Sequence, residues 1–244
     1  MSDAGANGRR TAGEFQERLD VVRTRIKQAT LRAGRDPGAV TLVAASKTVS
    51  AERLLEAVAC GCRIFGENRV QEALGKIDAM KECGGIEFHL IGPLQPNKVK
   101  HAIGRFSLLH AVDRLDVAER LGRAARERGI TQDILLEVNV AGEQTKHGFS
   151  PDELASAAER MGSFEGIRVI GLMTIPPPAN KLEDARPHFR RLRELAVQVE
   201  AMRIPRISMK ELSMGMSGDF DVAIEEGATM VRIGTALFGP RPVG

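Results

Sequence analysis

Hydrophobic positions along this chain follow two different patterns. From Phe15 to Ala29, apolar residues recur at helical spacing and predict an amphipathic helix that ends near Gly34. Beyond this helix the apolar residues form short continuous runs, such as VTLVAAS (40–46), which are typical of strands buried on both faces. Each run is followed by a segment with helical spacing, so the chain alternates strand and helix.

Eight apolar runs are found in this alternating region. The predicted strands are VTLVAAS (40–46), RIFGEN (63–68), EFHLIG (ending at Gly92), SLLHAV (107–112), DILLEVNV (133–140), IRVIGLMTI (167–175), ELSMG (211–215) and MVRIG (230–234). Alternating strands and helices indicate an α/β protein with a parallel sheet. Eight such units in 244 residues predict a single (β/α)8 TIM barrel with an extra N-terminal helix. The alternative is a doubly wound open sheet, but no G-x-G-x-x-G follows the first strand.

The predicted domain covers most of the chain. Residues 1–12 are rich in glycine, alanine, asparagine and arginine, and we expect them to form a disordered N-terminal tail. Residues 13–244 show no linker and no break in composition, so we expect one barrel domain there. No run of 18 apolar residues predicts a membrane span, and no apolar signal segment is recognisable. We therefore expect a cytoplasmic protein without a membrane partner.

Composition and charge exclude several classes of function. The chain has no tyrosine, so a mechanism that needs a tyrosine proton donor is excluded. Aromatic residues make up only 4%, which disfavours the stacking platforms of RNA-binding proteins. The net charge of +3 comes from the N-terminal helix and indicates a solvated helix face, so we expect no nucleic-acid partner. Three cysteines without a C-x-x-C pair disfavour a zinc site.

A lysine directly follows the first predicted strand. In a TIM barrel the active site lies at the C-terminal ends of the strands, so we expect Lys47 at the mouth of a dry interior. Desolvation there lowers the pKa of the amine, and a neutral amine is what Schiff-base formation with an aldehyde requires. By position alone, an ordinary solvated loop lysine is the better interpretation.

The loops after strands 7 and 8 change that balance. Strand 7 ends in S-M-G-M-S-G-D (213–219) and strand 8 ends in I-G-T (233–235). Barrels often bind phosphate at these two loops, where glycine backbone N–H groups and hydroxyls act as donors. Ordinary turn chemistry accounts for either loop alone, but the two together favour a phosphate site.

Arg232 interrupts the last apolar strand. Strands of a parallel barrel are covered on both faces, so this charge requires a partner. One interpretation is a donor to a ring nitrogen or an acid in the ligand, and an equally good one is a structural ion pair with Glu137 on strand 5. A reactive lysine, a phosphate site and a cationic donor together suggest an aldehyde with a phosphate and a basic ring nitrogen, which is pyridoxal 5′-phosphate (PLP).

The sequence resembles the pyridoxal-phosphate homeostasis proteins, which are similar to the barrel domain of alanine racemases. The stretches that carry the resemblance are AASKTVS (44–50), FGENRVQEA (65–73), FHLIGPLQPNK (88–98), QTKHGF (144–149), GLMTIP (171–176), LSMGMSGDFDVAIEEG (212–227) and VRIGTALFG (231–239). The resemblance implies that Lys47 carries the cofactor as a Schiff base and that Arg232 meets the pyridine nitrogen. The phosphate contacts that it implies are Ser213, Ser217, Gly234 and Thr235.

Further positions follow from the same resemblance. Asn68 and Met214 are expected to line the cofactor, and Lys146 matches a lysine that serves as a second acceptor. The family often has an aromatic residue after G-E-N and before the H-x-I-G segment; these positions are Arg69 and Phe88 here, and we expect altered recognition at the rim. We assign no catalytic residue and no metal ligand. The histidines show no metal spacing and are interpreted as scattered, satisfied side chains: His89, His101, His110, His147 and His188.

The resemblance implies a protein of intracellular PLP homeostasis that keeps the free aldehyde low. Alanine racemases use a lysine and a tyrosine as bases together with a second domain, and this chain has no tyrosine. An arginine at the pyridine nitrogen also weakens the ring as an electron sink. We therefore expect no efficient amino-acid turnover, and the alternatives are a weak PLP-dependent racemase and a phosphate-sugar barrel enzyme. The expected partners are PLP and PLP-dependent apo-enzymes, and we expect a monomer.

Overall fold

The computed structural model describes residues 3–143, 147–178 and 181–240. Within these residues eight parallel strands pair in chain order, and the last strand pairs with the first to close a barrel. The strands are β1 (Thr41–Ala45), β2 (Ile64–Glu67), β3 (Glu87–Leu90), β4 (Leu108–Val112), β5 (Gln132–Glu137), β6 (Ile167–Met173), β7 (Ile207–Ser213) and β8 (Met230–Ile233). The closed parallel barrel confirms the predicted fold class.

Helices connect the strands and form the outer layer. They are α1 (Asp3–Arg32), α2 (Ala51–Ala59), α3 (Val70–Ala79), α4 (Val99–Ala102), α5 (Leu115–Glu127), α6 (Pro151–Met161), α7 (Arg186–Ala201), α8 (Phe220–Glu225) and α9 (Thr235–Phe238). Local sequence explains where several of them begin. Helix α6, for example, starts at a capping box in which Ser150 and Glu153 satisfy each other's backbone N–H groups. None of the described helices combines the length and the apolar character that a membrane crossing requires.

Three of the differences from the sequence predictions have a clear physical reason. The backbone of residues 3–12 continues helix α1 where we expected a disordered tail, and alanine and arginine, which are frequent there, are good helix formers. Strand β7 begins at Ile207, four residues before the predicted start, because its first half is only partly buried and shows no continuous apolar run. Helix α9 was not predicted, since one turn of helix is too short for a periodic signal.

The positive charges of helix α1 pair with helix α8. Arg25 forms an ion pair with Asp221 and lies over the Phe220 ring, 4.3 Å from its centroid. Arg32 Nε lies 2.8 Å from Glu225 Oε1. Both arginine side chains remain exposed to solvent, so the basic face of α1 is solvated and also forms surface ion pairs. Helix α1 thus packs against α8 and α9, the helices that follow β7 and β8.

Apolar side chains form two separate layers. The larger layer lies between the helices and the outside of the barrel. The smaller layer fills the barrel interior and consists of Val43, Ile91, Leu108, Ala111, Leu135, Met173 and Met230. Polar side chains share this interior: Arg232 lies opposite Val43 in the β1–β8 pairing. The interior residues nearest the C-terminal ends of the strands form the floor of the candidate site.

Candidate functional site

A cavity of about 460 Å³ opens at the C-terminal ends of the strands. Six of the eight residues predicted to contact the cofactor line it: Lys47, Asn68, Ser217, Arg232, Gly234 and Thr235. They come from the ends of β1, β2 and β8 and from the loop after β7, which are distant in sequence. Closure of the barrel therefore brings the predicted lysine, the predicted phosphate loops and the predicted cation to one place.

Two predicted contacts do not line this cavity. Ser213 is fully buried at the end of β7, and its Oγ accepts a hydrogen bond from Arg232 Nη1 at 2.6 Å. Met214 is also fully buried, but it belongs to the outer apolar layer, because successive residues at a strand end point to opposite faces. Ser213 thus lies beneath the site and Met214 behind it. Lys146, the predicted second acceptor, lies outside the described residues.

A buried polar cluster holds the turn that carries Lys47. Ser46 and Glu67 are fully buried and hydrogen-bonded to each other. Lys76 Nζ donates to Glu67 Oε1 at 2.7 Å and to the Ser46 carbonyl at 2.8 Å. Thr48 has a φ of 65°, which is unfavourable for a β-branched residue and must be stabilised by surrounding contacts. This support was not predicted from the sequence, since its members lie on three different elements.

Backbone donors converge at the loop after β8. The N–H groups of Gly234 and Ala236 both donate to Ser217 Oγ, each at 3.3 Å. Such a concave arrangement of N–H groups is suited to an anion oxygen. The neighbouring turn requires Gly215, whose φ is +92° and whose missing Cβ would lie 2.6 Å from the Cβ of Ala223. In the loop after β7, Gly215 is therefore required by both the backbone conformation and the available space.

Arg232 lies at the floor of the cavity with only 4% of its surface exposed. Burial lowers the pKa of its guanidinium to about 10. Its donors bind two neutral acceptors, Ser213 Oγ and the Thr174 carbonyl, the latter at 2.9 Å. Among the described residues no carboxylate lies within ion-pair distance of it, so the alternative of a direct ion pair with Glu137 is not realised. Its positive charge therefore borders the cavity without a directly paired carboxylate among the described residues.

The opposite wall of the cavity is acidic. Glu137 is 8% exposed, lines the cavity and has a raised pKa, because burial and the charge of Asp113 disfavour its ionised form. Asp113 Oδ2 lies 3.1 Å from His147 Nδ1, and His147 also lines the cavity. This acidic wall was not predicted from the sequence as part of the site. The sequence did contain an indication of this wall, since Asp113 directly follows β4 and Glu137 ends β5, where site residues of a barrel are expected.

The histidines do not all fit the interpretation as scattered side chains. His89 Nδ1 lies 3.0 Å from His110 Nε2 inside the barrel, and His147 pairs with Asp113. The interpretation as scattered residues is wrong for His89 and His110, because parallel pairing of β3 and β4 brings them together, whereas their hydrogen bonds agree with satisfied side chains. Within the described part of the chain, no group of three or more potential ligands could hold a metal ion.

Residues 18–242 match the family model described as "Alanine racemase, N-terminal domain". The chain is 49% identical to the pyridoxal phosphate homeostasis protein of Aquifex aeolicus, over 92% of this chain and 97% of that protein. It is 43% identical to the protein of the same name from Pseudomonas aeruginosa, over 93% of this chain and 96% of that protein. Both relatives span nearly the same length as this barrel.

Solved structures show the same relationship. PipY of Synechococcus elongatus with PLP bound has a TM-score of 0.79 and 36% identity, and the match covers 92% of this chain and all of that chain. An alanine racemase of Clostridium difficile has a TM-score of 0.71 at 14% identity, over 94% of this chain and 57% of that one. The second similarity concerns the fold alone.

Proposed function

Because this chain belongs to the pyridoxal phosphate homeostasis protein family, with an alanine racemase N-terminal domain, we propose that it binds PLP and acts in PLP homeostasis. The observation that carries the proposal is the convergence of Lys47, Arg232 and the donors around Ser217 on one cavity. A PLP-bound relative with 36% identity supports the same ligand.

The residues of the cavity fit the chemical groups of PLP. The N–H groups that converge near Ser217 would donate hydrogen bonds to a phosphate oxygen, with the Thr235 hydroxyl as a further donor. Arg232 would donate to the pyridine nitrogen, and Asn68 would line the ring. When bound, PLP supplies an aldehyde that condenses with a primary amine, and Lys47 is the amine that we assign to it.

We propose that the protein carries the cofactor without efficient amino-acid turnover. An arginine donor leaves the pyridine nitrogen unprotonated, which weakens the ring as an electron sink. No tyrosine exists in the chain to act as a second base, and a positioned base typically contributes about 10²–10⁴-fold. The relatives are named as homeostasis proteins, which fits this proposal. The exposed rim would allow the cofactor to pass to PLP-dependent apo-enzymes.

The covalent assignment is tested by borohydride reduction of the PLP-loaded protein, followed by peptide mapping. We expect an imine absorption band before reduction and a pyridoxyl group on the Lys47 peptide afterwards. A label located mainly on the Lys146 peptide or on a surface lysine would contradict the assignment. Saturation of the band at one PLP per chain would show a single site.

The carrier proposal is tested by two further measurements. Racemisation and α-hydrogen exchange are followed over a panel of L- and D-amino acids at saturating PLP, and a turnover of about 1–10³ s⁻¹ on any of them would establish the racemase alternative instead. Transfer is followed as recovery of activity in an added apo-enzyme. The proposed monomer is checked by light scattering, and a cytoplasmic location stays a prediction.

A further inference from the structure

Buried side chains connect the start of strand β3 to the floor of the cavity. His89 Nδ1 lies 3.0 Å from His110 Nε2, and His110 Nδ1 lies 2.8 Å from Ser213 Oγ. Arg232 Nη1 donates to the same hydroxyl at 2.6 Å. These four residues are at most 4% exposed. Because each polar atom is removed from solvent, each depends on its neighbour in the series for a hydrogen bond.

One end of this series can only donate hydrogen bonds, and the group at the other end can only accept them. The guanidinium of Arg232 can only donate hydrogen bonds, and an ionised carboxylate can only accept them. At the other end Glu87 Oε2 lies 3.6 Å from His89 Nε2, and the Glu87 side chain is 53% exposed. Burial lowers the pKa of His89 to about 4 and that of His110 well below its ordinary value. Both imidazoles are therefore neutral at pH 7, and each has one donor and one acceptor.

We infer that His89, His110 and Ser213 form a directional hydrogen-bond chain that positions Arg232, and that the nearby carboxylate of Glu87 sets its direction. Within this hydrogen-bond series, His89 carries its proton on Nε2, facing Glu87, and accepts a hydrogen bond at Nδ1. His110 Nε2–H donates to that nitrogen. The Ser213 hydroxyl donates to His110 Nδ1 and accepts from Arg232. The reverse direction would place the lone pair of His89 Nε2 against the carboxylate, so the charge of Glu87 selects the tautomers.

These contacts hold the Arg232 guanidinium in one orientation, and they do so through neutral acceptors that leave its positive charge unpaired. Its second terminal nitrogen donates to the Thr174 carbonyl at 2.9 Å, so two directed bonds hold the plane of the guanidinium. Glu137 and Asp219 act on its charge only at longer range. Ser213, His110 and His89 do not line the cavity, so they are positioning residues. This also gives Ser213 a role other than the direct phosphate contact that the resemblance implies.

The tautomers can be measured on the protein without any cofactor. Long-range ¹H–¹⁵N correlation spectra of the imidazoles distinguish a proton on Nδ1 from one on Nε2. We expect the Nε2–H form for both His89 and His110 from pH 6 to 8, with solvent-exposed His101 as the internal reference. An Nδ1–H form at either buried histidine, or a charged imidazole at pH 7, would overturn the inference.

A second experiment tests the positioning role and rests on the proposed function. PLP is compared with its 1-deaza analogue, in which a C–H group replaces the pyridine nitrogen. We expect Ser213→Ala and His110→Gln each to weaken PLP binding roughly tenfold while changing the affinity for the analogue less than about twofold. Ser213→Thr, which keeps the hydroxyl, should restore PLP affinity. Ser156→Ala, an exposed serine on α6, is the matched control.

The outcomes separate the two proposals. Equal losses for both ligands, or no loss for either, would show that the series only satisfies buried polar groups and does not position Arg232. If the unaltered protein bound neither ligand, the proposed function would fail, and the tautomer spectra alone would then decide whether the directional chain exists.

Discussion

The two sides of the cavity differ in charge and in construction. The donor side consists of Lys47, Ser217, Gly234 and Thr235, at the ends of β1 and β8 and after β7. The acidic side consists of Asp113, Glu137, Asn139 and His147, near the ends of β4 and β5. Backbone N–H groups at glycine-containing turns supply the donor side, whereas long side chains supply the acidic side. A ligand with an anion at one end would therefore bind in one orientation.

This difference explains how a single cavity would select a phosphate ester. Attraction at the donor side favours the phosphate, and the carboxylate of Glu137 disfavours the reversed orientation. The acidic side destabilises the folded protein when Glu137 is ionised, since burial and the neighbouring charge of Asp113 raise the pKa of Glu137. The predictions below alter one side at a time, beginning with the change that should have the largest effect.

Lys47→Ala should remove nearly all pyridoxyl label, because the covalent link requires the amine at this position. The measurement is the mass of the protein after incubation with PLP and borohydride. Lys27→Ala, which removes an exposed lysine on α1, is the matched control and should keep full labelling. Any label that remains in Lys47→Ala is expected on the Lys146 peptide, and undiminished labelling would disprove the role of Lys47.

Thr235→Ala and Ser217→Ala should each weaken PLP binding about ten- to a hundredfold, which corresponds to one lost hydrogen bond to a charged group. Binding of pyridoxal, which has no phosphate, should already be poor and should change little. Asn139→Ala removes a polar side chain from the acidic side and should leave the ratio of PLP to pyridoxal affinity nearly unchanged. A similar ratio in all the variants would place the phosphate elsewhere.

The free energy of unfolding should fall as the pH decreases from about 6.5 towards 4. The folded-state pKa of His89 is lowered from 6.5 to about 4, so in this window the unfolded chain binds protons that the folded chain excludes. The expected loss is on the order of 1–3 kcal/mol, measured by urea unfolding at several pH values. His89→Gln should flatten this dependence, and an unchanged slope would show that His89 is not neutral in the folded state.

Glu137→Gln should have the smallest effect and the opposite dependence on pH. Because the folded-state pKa of Glu137 is raised, its ionisation disfavours the folded state as the pH rises. The variant should therefore be more stable than the unaltered protein at pH 7, by roughly 1 kcal/mol, and the difference should vanish in acid. Removal of a nearby negative charge should also tighten PLP binding about two- to fivefold, measured by titration of the absorption band.

Features that depend on local pattern were readable from the sequence. The apolar runs and the helical segments between them predicted a closed barrel, and the glycine-containing loops S-M-G-M-S-G-D and I-G-T predicted one corner of the cavity. Lys47 was readable for a similar reason, since it directly follows a buried strand. The start of strand β7 was predicted too late and helix α9 was not predicted, because half-buried strands and single helical turns leave weak periodic signals.

The sequence pattern was sufficient to predict the fold class and to place Lys47 and the two glycine-containing loops at the cavity, since each of these signals comes from residues close together along the chain. Only the tertiary structure decided the partners of the buried polar groups. Parallel pairing places His89 beside His110, and barrel closure brings Ser213 beneath Arg232. These contacts join residues separated by 19 to 103 positions. No short-range pattern encodes such separations, because hydrogen-bond partners inside a barrel are set by which strands become neighbours and by strand register.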